Sequence, residues 1–378
     1  MTSAYIVDFL RSPFTQGFKG AFAGMRPDTL AGEVIRRLVA RSGMDPAEIE
    51  DVILGCAFPE GEQGLNIGRC AGLLAGLPQG VAGATINRWC GSSMQAIQMA
   101  GGAIAMGAGE VFIAGGVESM SRVPMMGFNP MPNPAWDGPQ SAAFLNMGMT
   151  AETLASRYGI GRETQDQYAA MSQARAAEAQ AEGRLSGEIA PVAANGNAID
   201  ADGCIRAGTT VEKLGTLKTA FLADGTVTAG NASPFTDGAS AVLVCSEAAL
   251  ERHGLKPKAR IAGFAVSGCA PEVMGIGPVE ATRKAMARAG IGADKLDVIE
   301  MNEAFAVQVL ACCHDLEIAP ERLNRDGGAI AIGHPLGATG ARLVGKAASL
   351  LERDGGRYAL ATQCIGGGQG IAMVLEAA

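Results

Sequence analysis

Charge is scarce in this chain and histidine scarcer: charged residues make up 18% of the 378 positions, and there are three histidines. Long runs of one sign and Pro/Ser-rich tracts are missing, which excludes extended disordered arms and flexible linkers. With a net charge of −8 and no clustered Lys and Arg, a general nucleic-acid or acidic-membrane partner is excluded, though a local basic patch for one anionic cofactor is not. No segment approaches the roughly 20 apolar residues that cross a bilayer. The opening MTSAYIVDFLRSPF has an apolar run of only about five residues before Arg11, which predicts a first strand rather than a signal peptide. The nine cysteines form no CxxC pair and no zinc-type spacing with histidine, in a chain too long to need disulfide staples. No metal site is predicted, and a reduced, cytoplasmic compartment is expected.

What is present is apolar and small. A 48% hydrophobic content with 53 glycines supports a large core, in a chain too long for one ordinary domain; two or three packed units are expected. The chain also repeats itself. Residues 5–58 and 260–305 each begin with a short apolar strand, Tyr5 to Phe9 and Arg260 to Phe264. A Pro-led helix follows, with Leu30, Val34, Ile35, Leu38 and Val39 on one face of the first and Val279, Thr282 and Met286 on the second. Gly43 and Gly290 stand where left-handed caps are wanted. After them EIEDVILG parallels KLDVIEMN.

The correspondence extends to INRWC, ending at Cys90, and AIGHP around His334. Each is a strand running into a tight turn with a helix at once behind it. GSSMQAIQMAGGAIAMG is apolar or small on every face, as in a helix buried all round, and PLGATGARLVGKAASLL leads with Pro335. Both feed near-continuous apolar strands, Val111 to Ala114 and Tyr358 to Ala361, of the kind found in sheets covered on both sides. Two similar α/β halves follow, residues 1–117 with 241–255 and residues 256–378. Residues 118–240 break the pattern as an inserted cap, with a loop rich in Met, Pro and Asn (Pro124 to Pro139) and a helix from about Glu163 to Glu182 ended by Gly183.

Four turns could carry chemistry. Cys90 sits where a strand meets a helix N-terminus, whose dipole and free N–H groups favour a thiolate; a buried core cysteine is the alternative. The other cysteines outside the last turn, Cys56, Cys70, Cys204, Cys245, Cys269, Cys312 and Cys313, are read as core or structural. His253 and His314 lie near helix ends among polar residues and are read as surface. His334 occupies the repeat equivalent of Cys90, so a pseudo-twofold would bring an imidazole to the thiol. Cys364 opens CIGGGQG, whose glycines let the backbone approach a ligand, or form a plain hairpin turn. Asn302 in NEAF could hold a water or donate directly, or serve as a turn residue.

Taken together these turns resemble the thiolase family. The resemblance spans nearly the whole chain and rests, in family order, on INRWCGSSMQA, GGVESMS, NMGMTAE, TAGNASPFTDGAS, VMGIGP, NEAFA, GGAIAIGHPLGATGAR and CIGGGQG. It implies an α/β fold of duplicated βαβαβαββ halves in five layers, α-β-α-β-α, with an inserted loop domain. It implies an acyltransferase that cleaves a 3-ketoacyl-CoA with CoA, or condenses two acyl-CoAs, through a cysteine acyl-enzyme, as in fatty acid β-oxidation. Coenzyme A is then a co-substrate and no resident cofactor is needed. Carried over by motif, Cys90 takes the acyl group, His334 activates it, Cys364 moves the α-proton and Asn302 helps bind a thioester oxygen. The backbone N–H groups of Cys90 and Gly366 receive the acyl oxygen. Ser233 meets the pantetheine, Arg206 the nucleotide end, and Met147, Phe221, Ala229, Met274 and Phe305 line the tunnel. A homo-oligomer, dimer or tetramer, is also implied.

The pattern departs from the family at two places. Short-chain biosynthetic thiolases carry a His before the Met-Gly of the cap motif, where this chain has Asn146, and KTAF with Lys218 replaces RPAF. The first favours a broader 3-ketoacyl-CoA enzyme over an acetyl-CoA acetyltransferase making acetoacetyl-CoA. A ketoacyl synthase pairs its cysteine with two His, or His and Asn, and lacks a second reactive Cys, so Cys364 opposes it. A non-catalytic acyl-CoA binding protein would have lost Cys90, His334 or Cys364, and all three are present.

Overall fold

The computed structural model describes residues 2–136 and 138–378; Asp137, in the Met/Pro/Asn-rich loop, lies outside them. The first half contains β1 (Ala4–Arg11), β2 (Thr15–Gln16), α1 (Pro27–Ser42), β3 (Asp51–Gly55), α2 (Ile67–Leu74), β4 (Ala82–Ile86), α3 (Ser92–Ala105) and β5 (Val111–Ser119). Then come α4 (Met147–Tyr158), α5 (Arg162–Ala181), β6 (Val192–Ala194), β7 (Asn197–Ile199) and α6 (Val211–Gly215), before β8 (Thr236–Ser246) and α7 (Glu247–His253). The second half contains β9 (Ala259–Gly268), α8 (Gly277–Ala289), β10 (Val298–Met301), α9 (Ala306–Leu316), α10 (Ala329–Ile332), α11 (Leu336–Asp354), β11 (Tyr358–Ile365) and β12 (Gln369–Ala377). The predicted caps are in place: α1 and α8 stop at Gly43 and Gly290, each at φ 70°, where a side chain would be strained.

Strand order makes the duplication explicit. In the first sheet β1, β8 and β5 are antiparallel neighbours, and β3 and β4 continue from β5 in parallel. In the second, β9, β12 and β11 are antiparallel neighbours, β10 continues in parallel, and a parallel bridge from Ile299 to Leu323 stands where a fifth strand would be. The halves are also bonded edge to edge, which repeat analysis did not foresee: Tyr5 pairs with Arg260 and Ile6 with Ala259, merging the sheets into one ten-stranded ladder.

Three apolar clusters define the five layers. Leu30, Val34, Ile35 and Leu38 of α1 pack with Ile67 and Ala71 of α2 over the outer face of the first sheet. Val279 and Met286 of α8 pack with Val309 and Cys312 of α9 over the outer face of the second. Between the sheets, Met94, Ile97 and Ala100 of α3 meet Leu343, Val344 and Ala347 of α11. α3, expected to be buried all round, packs on this layer but leaves Met99 and Met106 exposed, and α11 carries a polar stripe, Arg342 and Lys346, that is buried on Glu300, Glu188 and Asp326. The segment between β5 and β8 is fastened by buried charge: Arg11 Nη1 contacts Asp202 Oδ1 at 2.6 Å, and Lys346 Nζ contacts Glu188 Oε2 at 3.0 Å.

The two central helices approach closely because Gly340 has no side chain: a Cβ there would lie 2.5 Å from the Met94 nitrogen. Gly102, in the interior of α3, faces open space instead. Gly340→Val should lower unfolding free energy by about 3 kcal/mol or prevent folding, since backbone cannot move aside, whereas Gly102→Ala should raise it by about 0.5–1 kcal/mol. Urea denaturation followed by circular dichroism checks both signs.

Candidate active site

Cys90 lies between β4 and α3, on a turn held by its neighbours' side chains. The Asn87 side chain accepts from the Trp89 N–H at 2.8 Å, and Ser92 Oγ accepts from the Arg88 N–H at 2.8 Å while donating to the Trp89 carbonyl at 2.5 Å. Trp89 is thereby kept at φ 43°, a left-handed conformation uncommon outside glycine. The thiol is half-buried. Its N–H donors are those of Gly366 and of Cys90 itself, which pull its ionisation down, but desolvation outweighs them and pushes the thiol up to about 11, with the Glu118 charge adding to the rise. The N–H donors expected at the helix terminus are present, and burial opposes them.

His334 is buried on the turn before α11, but the segment leading into it, expected as a strand like the one before Cys90, is the short helix α10. Thr339 Oγ1 donates to the Pro335 carbonyl at 3.3 Å, so it receives the Nδ1–H of His334 at 2.6 Å. The Asn302 amide nitrogen, which can only donate, lies 3.3 Å from Nε2 and makes that nitrogen the acceptor, in keeping with the proton on Nδ1. Burial, reinforced by the Arg342 charge, pushes the imidazole down to about 3, so it is neutral. Asn302 Oδ1 is buried without a partner.

Cys364 is near the end of β11, fully buried, and pushed well above the ordinary thiol range by desolvation and then by the Cys90 charge. A third neutral group thus stands within electrostatic reach of the first. Around Cys364 lie Met274 and Phe305, with Met147 against the same cluster. Phe221 meets Phe305 edge to face at 6.2 Å. Ser233 is half-buried beside them, its N–H on the Ala304 carbonyl at 3.0 Å. Arg206 and Ala229 are exposed and line a narrow cleft with Leu214 and Pro234, the residue after Ser233. The structure therefore groups Met147, Phe221, Met274, Phe305 and Ser233 near Cys364, and places Arg206 and Ala229 in the cleft that Pro234 also lines. Lys218 is exposed. His314 is exposed beside Asp315, and His253 is 3.5 Å from Glu48.

A buried carboxylate ties the start of α11, just past His334, to the loop after β3. Glu118, on β5, accepts from the Ala57 N–H at 2.7 Å, the Gly337 N–H at 2.9 Å and the Gln63 amide at 2.8 Å. Ser93 Oγ accepts from the Ala341 N–H at 2.9 Å, fixing α11 to the start of α3.

The family model for the N-terminal domain of thiolase matches residues 4–248, and that for the C-terminal domain matches residues 255–377. The chain belongs to the thiolase family. It is 47% identical to a 3-ketoacyl-CoA thiolase of Vibrio parahaemolyticus, across 98% of this chain and 97% of the relative. It is 45% identical to a β-ketoadipyl-CoA thiolase of Acinetobacter baylyi, across the whole of both. Among solved structures, the human mitochondrial 3-ketoacyl-CoA thiolase in complex with CoA superposes with a TM-score of 0.93 at 37% identity, covering 100% of this chain and 98% of that one.

For this thiolase, motif reading reached Cys90, His334, Asn302 and Cys364 but passed over Glu118, Thr339 and Thr236, whose Oγ1 accepts the His334 N–H at 3.0 Å. Glu118 had left a signal: it is the one charged residue in VFIAGGVES, a strand buried at all nine positions. A charge in such a run needs several donors to be tolerated.

The neutral His334 has a consequence for stability. Below its ordinary value of 6.5 the unfolded chain takes up a proton that the folded imidazole accepts only near 3. Its contribution is complete above pH 6.5 and drains away as pH falls towards 3. His334→Gln should flatten that part of the curve, measured as urea midpoints between about pH 4 and pH 8.

Proposed function

We propose that this thiolase cleaves 3-ketoacyl-CoA substrates with CoA, giving acetyl-CoA and an acyl-CoA two carbons shorter, and that it runs in reverse as a Claisen condensation. The Cys90 sulfur attacks the 3-keto carbon as its proton passes to His334 Nε2. The backbone N–H groups of Cys90 and Gly366 hold the acyl oxygen, the role for which their donation towards the resting sulfur is the supporting observation. The carbon–carbon bond breaks and the enolate of acetyl-CoA leaves, its oxygen held by the His334 N–H and a water on Asn302. Cys364 delivers its proton to the enolate carbon. An incoming CoA thiol then gives its proton to Cys364 and attacks the Cys90 thioester, and His334 returns its proton to Cys90 as the shortened acyl-CoA departs.

The raised thiols and lowered imidazole shape this sequence. A resting thiolate–imidazolium pair is disfavoured on both sides, so proton transfer has to accompany attack, when negative charge passes on to an oxygen already facing N–H donors. Two thiols of similar environment also suit a reaction that runs both ways, because neither direction demands a much stronger acid.

Arg206 is proposed for the nucleotide end of CoA, Ser233 for the pantetheine, and Met147, Phe221, Ala229, Met274 and Phe305 for the walls between. Asn146 caps α4, accepting from the Gly148 N–H at 2.9 Å, so its side chain is already committed to the helix. That favours the broader 3-ketoacyl reading over acetoacetyl-CoA synthesis, as do relatives named for 3-ketoacyl-CoA and β-ketoadipyl-CoA. We also propose a homo-oligomer: β4 is an edge strand bonded only through β3, and its residues are incompletely covered.

Mixing the enzyme with a 3-ketoacyl-CoA in the absence of free CoA should leave one acyl group on the peptide holding Cys90, read by mass spectrometry; a label elsewhere removes the assignment. Cys364→Ser should still be acylated there, yet lose about 10²-fold or more of its exchange of acetyl-CoA α-protons with deuterated water. Against a ladder of 3-ketoacyl-CoA lengths, kcat/KM should be higher for chains of six carbons and above than for acetoacetyl-CoA, and the reverse order would restore the acetyl-CoA acetyltransferase reading.

A further inference from the structure

Gln363 is a polar residue in an apolar place. It precedes Cys364 on β11, and strand alternation turns its side chain to the opposite face, towards the central layer. Ile365 and Ile371 are its neighbours in that layer, Ile371 being its partner across the ladder. Gln363 is fully buried. Its Nε2 donates to the carbonyl of Cys90, while its Oε1 has no hydrogen-bond partner. A buried amide that satisfies one end only is less stable than a methionine or leucine of similar volume would be. Fold stability does not explain this residue.

The Cys90 carbonyl does. Among the described residues, the first bond of the α3 ladder to a residue of this turn runs from the Gln95 N–H to the Gly91 carbonyl at 3.0 Å, one position past Cys90. The Arg88 and Trp89 carbonyls are met by the Gly91 and Ser92 N–H groups at 2.9 and 3.1 Å. Gln363 supplies the donor to the Cys90 carbonyl from the opposite half of the molecule. It stands three residues before Gly366, the first residue after β11 ends at Ile365. One hydrogen bond therefore couples the segment presenting the Cys90 N–H to the segment presenting the Gly366 N–H.

We propose that Gln363 is a positioning residue for acyl transfer: its amide locks the Cys90 turn against β11, setting the two N–H donors at the spacing one acyl oxygen requires. This deepens the acyl-enzyme reading above and rests on it. The residue acts through Cys90 and touches no substrate. Binding of CoA, which uses the region between β5 and β8, should not depend on it. Displacing reacting groups by about 1 Å can cost on the order of 10²-fold in rate, so the loss should fall on kcat and leave KM alone.

The test is Gln363→Met in the full-length enzyme, with thermal unfolding, steady-state kinetics and the rate of Cys90 acylation by mass spectrometry. The variant should melt at or above the parent temperature, because an unpartnered carbonyl is removed from an apolar layer. It should lose about 10- to 100-fold in kcat and in acylation rate, with KM for CoA within about twofold. Unchanged kcat in a normally folded variant overturns the proposal. So does a lowered melting temperature with kcat and KM moving together, which would mark a core residue and nothing more. Should the parent enzyme itself fail to acylate at Cys90, the acyl-enzyme reading falls; parent and variant acylating equally removes the Gln363 role alone.

Discussion

A carboxylate buried between the two halves is the constraint on which the reaction centre depends. Glu118 reaches from β5 of the first half to the Gly337 N–H of the second, and also holds the loop at Ala57. Gly337 lies three residues beyond His334. The imidazole is thus located relative to Cys90 by bonds that cross between halves, supplemented by Ser93 on Ala341 and Thr236 on the His334 backbone. Burial raises the affinity of Glu118 for a proton, while three backbone N–H groups and the Gln63 amide oppose the rise. A buried acceptor with this many donors is costly to replace, because each orphaned N–H loses its partner as well.

The same burial sets the electrostatic state of the centre. Cys90 and Cys364 are held as thiols and His334 as a neutral imidazole, and desolvation is the largest cause in each case. Charge is unwelcome there until a substrate arrives. An interior of this kind withholds reactivity from water and lends it to a carbonyl placed against fixed N–H dipoles. Asn302 Oδ1 and Gln363 Oε1, both without partners, fit the same pattern: polar groups retained at some expense beside the chemistry.

Much of this could be read from residues alone, and the reasons are physical. Duplicated halves were visible because glycine caps and helix periodicity recur at matched positions, and the caps at Gly43 and Gly290 share one φ. The packing of α3 between sheets was visible because its sequence is apolar or small on every face, whereas the buried ion pairs of α11, Arg342 on Glu300 and Lys346 on Glu188, were not. Long-range effects were not visible. The Cys90 turn resembles an activating helix terminus in one dimension, and only the packed sheets show that desolvation outweighs it. Glu118 and Thr339 were passed over for a related reason: their partners are distant along the chain or a helical turn away. The edge pairing of β1 with β9 left no trace, since two ladder pairs need no special residue type.

The central layer also bears on how the enzyme comes into existence. α3 arrives early in synthesis and α11 late, with about 230 residues between them, and the side of α3 that meets Leu343, Val344 and Ala347 has no cover until α11 is made. A nascent chain therefore carries one uncovered apolar side of α3 through most of its own translation. The residues that cover that side belong to the second half. Surface of that kind, exposed while the chain is incomplete, is what makes folding intermediates of large proteins prone to aggregate.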